Sequence, residues 1–254
     1  MKNLNDMKKY IAILLLAVMA LPACEGALDL RDNGTIDMSQ VWSDRNRTEG
    51  YINSCYNYIV TPQVRAGSFT DDAQDSQAIT AGSKYDVWYN QGMTSSNFGS
   101  YNYDGDPWAT FFQGIRKCNV FLENIETAGG RTTDRDREAW SAQAHVLRGY
   151  YYLQLIKRYG AVPLIVKDLG TAHDYSADTK ASVSEIVNQI LADCDAAIAA
   201  QETEDFSYFM RTGQWGMMTK AVAQAVRAEA VMYAISPLLD DGSFDKQKAL
   251  EVAA

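Results

Sequence analysis

The chain holds 254 residues, 47% of them hydrophobic and 22% charged, with a formal net charge of −9. So acidic a balance argues against nucleic acid or anionic headgroups as partners and leaves neutral ligands unaffected. The length suits one large domain or two small ones.

At the N-terminus, Lys8 and Lys9 precede an apolar run from Tyr10 to Leu21. The run is too short to span a bilayer comfortably as a permanent helix and reads as a signal peptide. It closes on Leu21-Pro22-Ala23-Cys24, close to a lipobox, where a peptidase cuts before a cysteine that carries lipid. Pro22 is unusual at its position in such a motif, and Met7 offers a second possible start. The alternatives are an ordinary signal peptide cut elsewhere and a short membrane anchor. On the lipobox reading residues 1–23 are removed and Cys24 is the lipidated mature N-terminus. The mature chain then keeps 20 basic and 31 acidic residues, a formal charge of −11.

Residues 24–45 read as a polar, lipid-anchored tether. A helix is expected over 47–61, burying Tyr51, Ile52, Cys55, Tyr56 and Ile59 and stopped by Pro62. An irregular segment, 62–107, follows, rich in Gly, Ser, Asn, Asp and Tyr; so long a loop is functional or disordered. Trp108, Phe112, Ile115, Cys118, Leu122 and Ile125 then mark one face of a helix over 108–126.

After a Gly129-Gly130 turn, a helix over 136–159 places Leu147, Tyr151, Leu155 and Tyr159 on one stripe, with Arg148, Lys157 and Arg158 on other faces. Gly160 and Pro163 end it. A connector without periodicity runs over 160–181. Ser182 and Glu185 form a capping-box pattern opening a helix to about residue 200, with Ile186, Ile190, Cys194 and Ile198 inward. An alanine-rich helix spans 215–235, stopped at Ser236-Pro237, and residues 246–254 open another. No period-2 alternation is sustained, so no substantial sheet is expected. The fold class is all-α: two helical hairpins, stacked as tetratricopeptide-like repeats or packed as an irregular bundle, with a long inserted loop.

Cys55, Cys118 and Cys194 are an odd number that cannot all pair within one chain, and their apolar helical settings point to buried free thiols. No Cys/His spacing suggests a metal site, and the two histidines, His145 and His173, lie far apart. No nucleophile elbow, zinc-binding helix or phosphate loop is present. Asp71, Asp72 and Asp75 could pair as acid and base, but aspartates in such a loop more often solvate turns or bind a sugar hydroxyl or a cation.

The aromatics of 62–107 suit binding better, because sugar C–H faces stack on rings while hydroxyls need amide or carboxylate partners. Trp88, Tyr89 and Asn90, with Asp72 and Tyr101, form the expected glycan platform. Trp108, inside a helical stripe, is expected in the core. Tyr150, Tyr151 and Tyr152 point in different directions and are packing residues.

Four blocks, in order, resemble the SusD/RagB family of outer-membrane lipoproteins. They are CEGALDL with EGYINSCYNYI, WATFFQGIRKCNVFLENI, AQAHVLRGYYYLQLIKRYGAVPLI, and TGQWGMMTKAVAQAVRAEAVMY. The resemblance implies a SusD-like helical-repeat domain over 46–254 that binds oligosaccharides without chemistry or cofactor. It also implies delivery to a TonB-dependent, SusC-like outer-membrane transporter, and a lipid anchor in the outer membrane facing the cell exterior. Glu25 and Asp29 loosely match export signals of such hosts. Family members continue for about as many residues again, so the domain is expected to be truncated at its C-terminus. The rival reading is a helical-repeat scaffold lipoprotein that recognises a protein or peptide and no glycan.

Overall fold

A computed structural model describes residues 36–60, 84–90, 106–209 and 215–253, with Gly67, Thr70, 72–73, 92–94, 96–97 and 212–213. Among these, all regular structure is helical: α1 (Met38–Trp42), α2 (Arg45–Cys55), α3 (Lys84–Tyr89), α4 (Trp108–Asn124), α5 (Asp134–Tyr159), α6 (Val183–Ala199), α7 (Lys220–Ala234) and α8 (Lys246–Ala253). Cys24 and the segment before residue 36 lie outside the described residues.

A compact unit begins at Ser39, inside the stretch expected to be a tether. The reason is Trp42, which is buried against Tyr51 and Phe121 at ring separations of 5.0 and 5.9 Å. A short polar stretch surrounding one large apolar ring reads as tether by composition, but the ring alone favours docking by roughly 1.5–3 kcal/mol. The dock is close. The Gly129 N–H donates to the Trp42 carbonyl at 2.8 Å, and a Cβ on Gly130 (φ +66°) would lie 2.5 Å from the Ser43 carbonyl oxygen.

Asp44 caps α2, accepting from the Arg47 N–H at 3.0 Å. This helix stops at Cys55, earlier than the expected residue 61, because the chain tightens into a 3-10 turn, Tyr56–Tyr58, and is extended at Ile59. The turn sends Tyr56 inward. Its hydroxyl donates to Gln143 Oε1 at 2.7 Å and accepts from the Met218 N–H at 2.9 Å.

The first hairpin pairs α4 with α5. Thr133 and Asp136 form a reciprocal capping box at the start of α5, and Gly160 (φ +67°) ends it. The two helices approach so closely that a Cβ on Gly114 would lie 2.7 Å from the Tyr151 ring. The second hairpin pairs α6 with α7. Ser182 and Glu185 make the expected box at α6, and Ile186, Ile190 and Cys194 are buried. The fourth helix of the pair set, α7, begins at Lys220 and not at 215. Gly216 holds φ +87° and Thr219 supplies the N-cap, accepting from the Val222 N–H at 3.2 Å. α5 packs against α4, α6 and α7, and α8 against α7. The architecture is tetratricopeptide-like.

Arg148, on a face other than the apolar stripe, is nevertheless enclosed. With α5 covered by α4, α6 and α7, Arg148 is buried and forks Asp193 of α6 through Nε at 2.9 Å and Nη2 at 2.6 Å. Its Nη1 donates to Asn119 Oδ1 of α4 at 2.8 Å, and His145 Nδ1 lies 2.7 Å from Asp193. A buried charge is tolerable only when paired and hydrogen-bonded, and this one is fully so. Burial alone would raise the Asp193 carboxyl, but His145 and Arg148 hold it below the usual carboxylate range. The thiols of Cys55, Cys118 and Cys194 are buried and free, and burial pushes Cys194 up to about 12.

Candidate functional site

The segment expected to form a platform is organised around α3. Asn90 caps the end of the helix: its N–H donates to the Asp86 carbonyl at 2.9 Å and its side-chain amide to the Asp86 carboxylate at 2.6 Å. The Gly92 N–H closes onto Val87 at 2.8 Å, and Asn97 ties the following turn by donating to the Gly92 carbonyl at 2.9 Å. These local bonds give the end of α3 and the turn after it a defined shape.

Of the five expected site residues, Trp88 is half-buried while Tyr89, Asn90 and Asp72 are exposed. Tyr101 lies outside the described residues, as do Asp71 and Asp75. The Tyr89 hydroxyl donates to the Ala73 carbonyl at 3.0 Å, which brings the Asp72 segment beside α3. Asp72 accepts from the Thr70 hydroxyl at 3.0 Å. Trp88 and Tyr89 are successive helix residues and diverge by about 100° around the axis. The two rings therefore cannot present one continuous face.

Trp108 is not a core residue. It is half-buried, its ring 4.9 Å from Phe112 and edge-on to Tyr159 at 5.0 Å. It opens α4 where α5 is ending, and the indole helps line a groove of about 410 Å³ between α4 and the connector, which Tyr175 also lines. Phe112 belongs to the stripe expected to be buried but is only half-buried, and Tyr175 lies in an aperiodic stretch that gives no sequence signal. The three consecutive tyrosines are packing groups: Tyr151 donates to the Cys55 carbonyl, and the Tyr152 hydroxyl exchanges bonds with Ile165, donating at 2.9 Å and accepting at 2.7 Å. Burial pushes both phenols well above their ordinary range.

His145 and Asp193 have the spacing of a base and its orienting acid. The hydroxyl one turn away, Ser141, has its oxygen buried and makes no hydrogen bond to the imidazole. The pair therefore serves the ion cluster around Arg148. Among the described residues no three His, Cys, Asp or Glu side chains gather as a metal set.

The family model described as starch-binding and associating with the outer membrane matches residues 31–222 of this helical chain. The chain belongs to the SusD-like family. It is 21% identical over 189 residues to SusD-like protein P38 of Formosa agariphila, covering 73% of this chain and 36% of that protein. Its fold matches a SusD-like protein of Bacteroides fragilis with a TM-score of 0.62 at 24% identity, over 78% of this chain and 36% of that one. A laminarin-binding SusD-like protein aligns with a TM-score of 0.55 at 18% identity, over 83% and 42%. This SusD-like chain thus spans less than half the length of each of these relatives, and the likeness to the solved structures is one of fold.

Proposed function

We propose that this SusD-like chain is a cell-surface lipoprotein that captures oligosaccharides unaltered and passes them to a TonB-dependent, SusC-like outer-membrane transporter. The observation that carries the reading is the half-buried Trp88 beside the exposed Tyr89 on α3, within a polar segment, in a family described as starch-binding. A ring face takes the C–H side of a sugar, while Asp72, in the segment tied to Tyr89 through Ala73, and Asn90, next along the chain, offer carboxylate and amide groups for hydroxyls. The family's association with the outer membrane agrees with Cys24 as the lipid-bearing residue. No described helix is long and apolar enough to cross a membrane. Affinity would come from stacking and hydroxyl hydrogen bonds, and transport energy from the partner.

Isothermal titration with laminarihexaose, maltohexaose and xylohexaose tests the reading. Trp88→Ala should weaken binding by about 1–3 kcal/mol, the worth of one stacked ring, and leave the melting curve unchanged. Normal binding with early melting would make Trp88 a loop anchor. Binding of peptides in place of all three sugars would favour the scaffold reading.

A further inference from the structure

We propose that the groove between α4 and the 163–178 connector is a second subsite for a neutral oligosaccharide, a proposal that rests on the glycan-capture reading. The groove is lined on one side by Trp108, Phe112 and Gln113 and on the other by Pro163, Tyr175 and Asp178. Its volume of about 410 Å³ falls in the range of small-ligand sites, about 300–1,000 Å³.

The rings are already set in place. Trp108 and Phe112 share one face of α4 as an i, i+4 pair, and Tyr159 fixes the indole edge-on at 85°. Tyr175 stands on a 3-10 turn whose N-cap, Asp174, accepts from the Ser176 N–H at 3.0 Å, and it packs against His173 at 4.7 Å. Rings held before binding lose little freedom on binding, which is what a weakly attracted, neutral ligand needs.

The charges and the backbone narrow the occupant. Arg116 pairs with Asp168 at 3.1 Å and His173 with Asp178 at 2.9 Å. Of the side chains charged throughout the neutral range, Arg116 and Lys167 face Asp168 and Asp178, so a groove in a strongly acidic chain has no excess of either sign among them to select an ion. An extended peptide would bind by pairing with exposed main chain. Here the connector's main chain is turned inward: Ile165 exchanges bonds with Tyr152, the Val166 carbonyl accepts from Arg148 at 3.3 Å, the Lys167 carbonyl accepts from Asn119 at 3.2 Å, and the Asp168 N–H donates to Glu123 at 2.9 Å. Recognition is left to ring faces and to the Gln113 amide, Arg116 guanidinium and Asp178 carboxylate, groups that match the paired hydroxyls of a sugar.

The test titrates the full chain with laminarihexaose, maltohexaose and xylohexaose, comparing Tyr175→Ala, Gln113→Ala and Trp88→Ala. Tyr175 and Gln113 are exposed and carry little of the fold, and melting curves on the same samples check that. Tyr175→Ala should weaken association by about 5- to 150-fold for the sugar that binds, Gln113→Ala should weaken it to a smaller degree, and Trp88→Ala should leave residual binding. If Tyr175→Ala melts early, Gln113→Ala decides alone. Groove variants that titrate like the unsubstituted chain, with all binding lost in Trp88→Ala, overturn the second subsite and leave glycan capture standing. An absence of heat from all three sugars with the unsubstituted chain overturns both.

Discussion

Asp136 joins helix capping to domain closure, and neutralising it should expose both roles. It occupies the third position of α5, accepting from the Thr133 N–H at 2.9 Å and the Thr133 hydroxyl at 2.9 Å. From α2, Arg45 grips the same carboxylate in a fork, Nε at 3.0 Å and Nη2 at 2.7 Å. The Arg45 bond foremost, opposed by burial and aided by Thr133, holds the carboxyl at about 2 against an ordinary 3.8. A carboxyl depressed on folding adds stability that is fully present above its unfolded pKa and is lost as pH falls through the folded one. At about 1.4 kcal/mol per pKa step, the depression is worth about 2 kcal/mol, lost as pH falls from about 4 toward 2. Asp136→Asn keeps the shape and removes the charge, so it should cost about 2 kcal/mol near neutrality, or about 4–8 °C in Tm for a domain this size. Urea unfolding at stepped pH should show the two proteins converging over that acid window. A gap that stays constant from neutrality to about pH 3 would refute the argument. So would full additivity with Arg45→Ala, because coupled partners must not add.

Arg148→Ala leaves Asp193 buried without its fork and should cost about 3–5 kcal/mol in urea unfolding; a loss under about 1 kcal/mol would mean the ion cluster is solvated. Gly114→Ala gains about 1 kcal/mol of helix preference yet should destabilise by about 1–3 kcal/mol overall, since the added methyl meets the Tyr151 ring; a raised Tm contradicts the α4–α5 contact. Cys24→Ala should abolish incorporation of a fatty-acid analogue and release the chain from the membrane fraction, and label retained by the variant sinks the lipobox reading.

Where a local rule determines structure, the sequence is enough to read it. Ser182 with Glu185 and Gly160 with Pro163 place helix ends to within a residue or two, because capping and positive φ depend on neighbours in the chain. Positions that depend on what lies across the fold are not readable that way. Arg148 and Lys157 look alike in the 136–159 stripe, yet one is buried against Asp193 while the other is exposed, reaching Glu229 at 2.6 Å. Four helices, α2, α4, α6 and α7, pack against α5, and no periodicity of α5 itself records that.

The same limit governs the candidate sites. The groove is made by residues 108–116 and 163–178, with all of α5 between them in sequence, and Tyr89 reaches back 16 positions to Ala73. Composition found the aromatic-bearing loop because an unburied ring in polar sequence is legible as such. It could not distribute the rings among faces, and here helix geometry is the stricter guide. The reasoning that excludes Tyr150, Tyr151 and Tyr152 as a common strip applies equally to Trp88 and Tyr89 once both lie on α3. On the proposed capture reading the two rings therefore take different parts: Tyr89, whose hydroxyl donates to the Ala73 carbonyl and so ties it to the loop, would orient a sugar that stacks on Trp88, which is why Trp88→Ala and not Tyr89→Ala is the substitution that tests the platform.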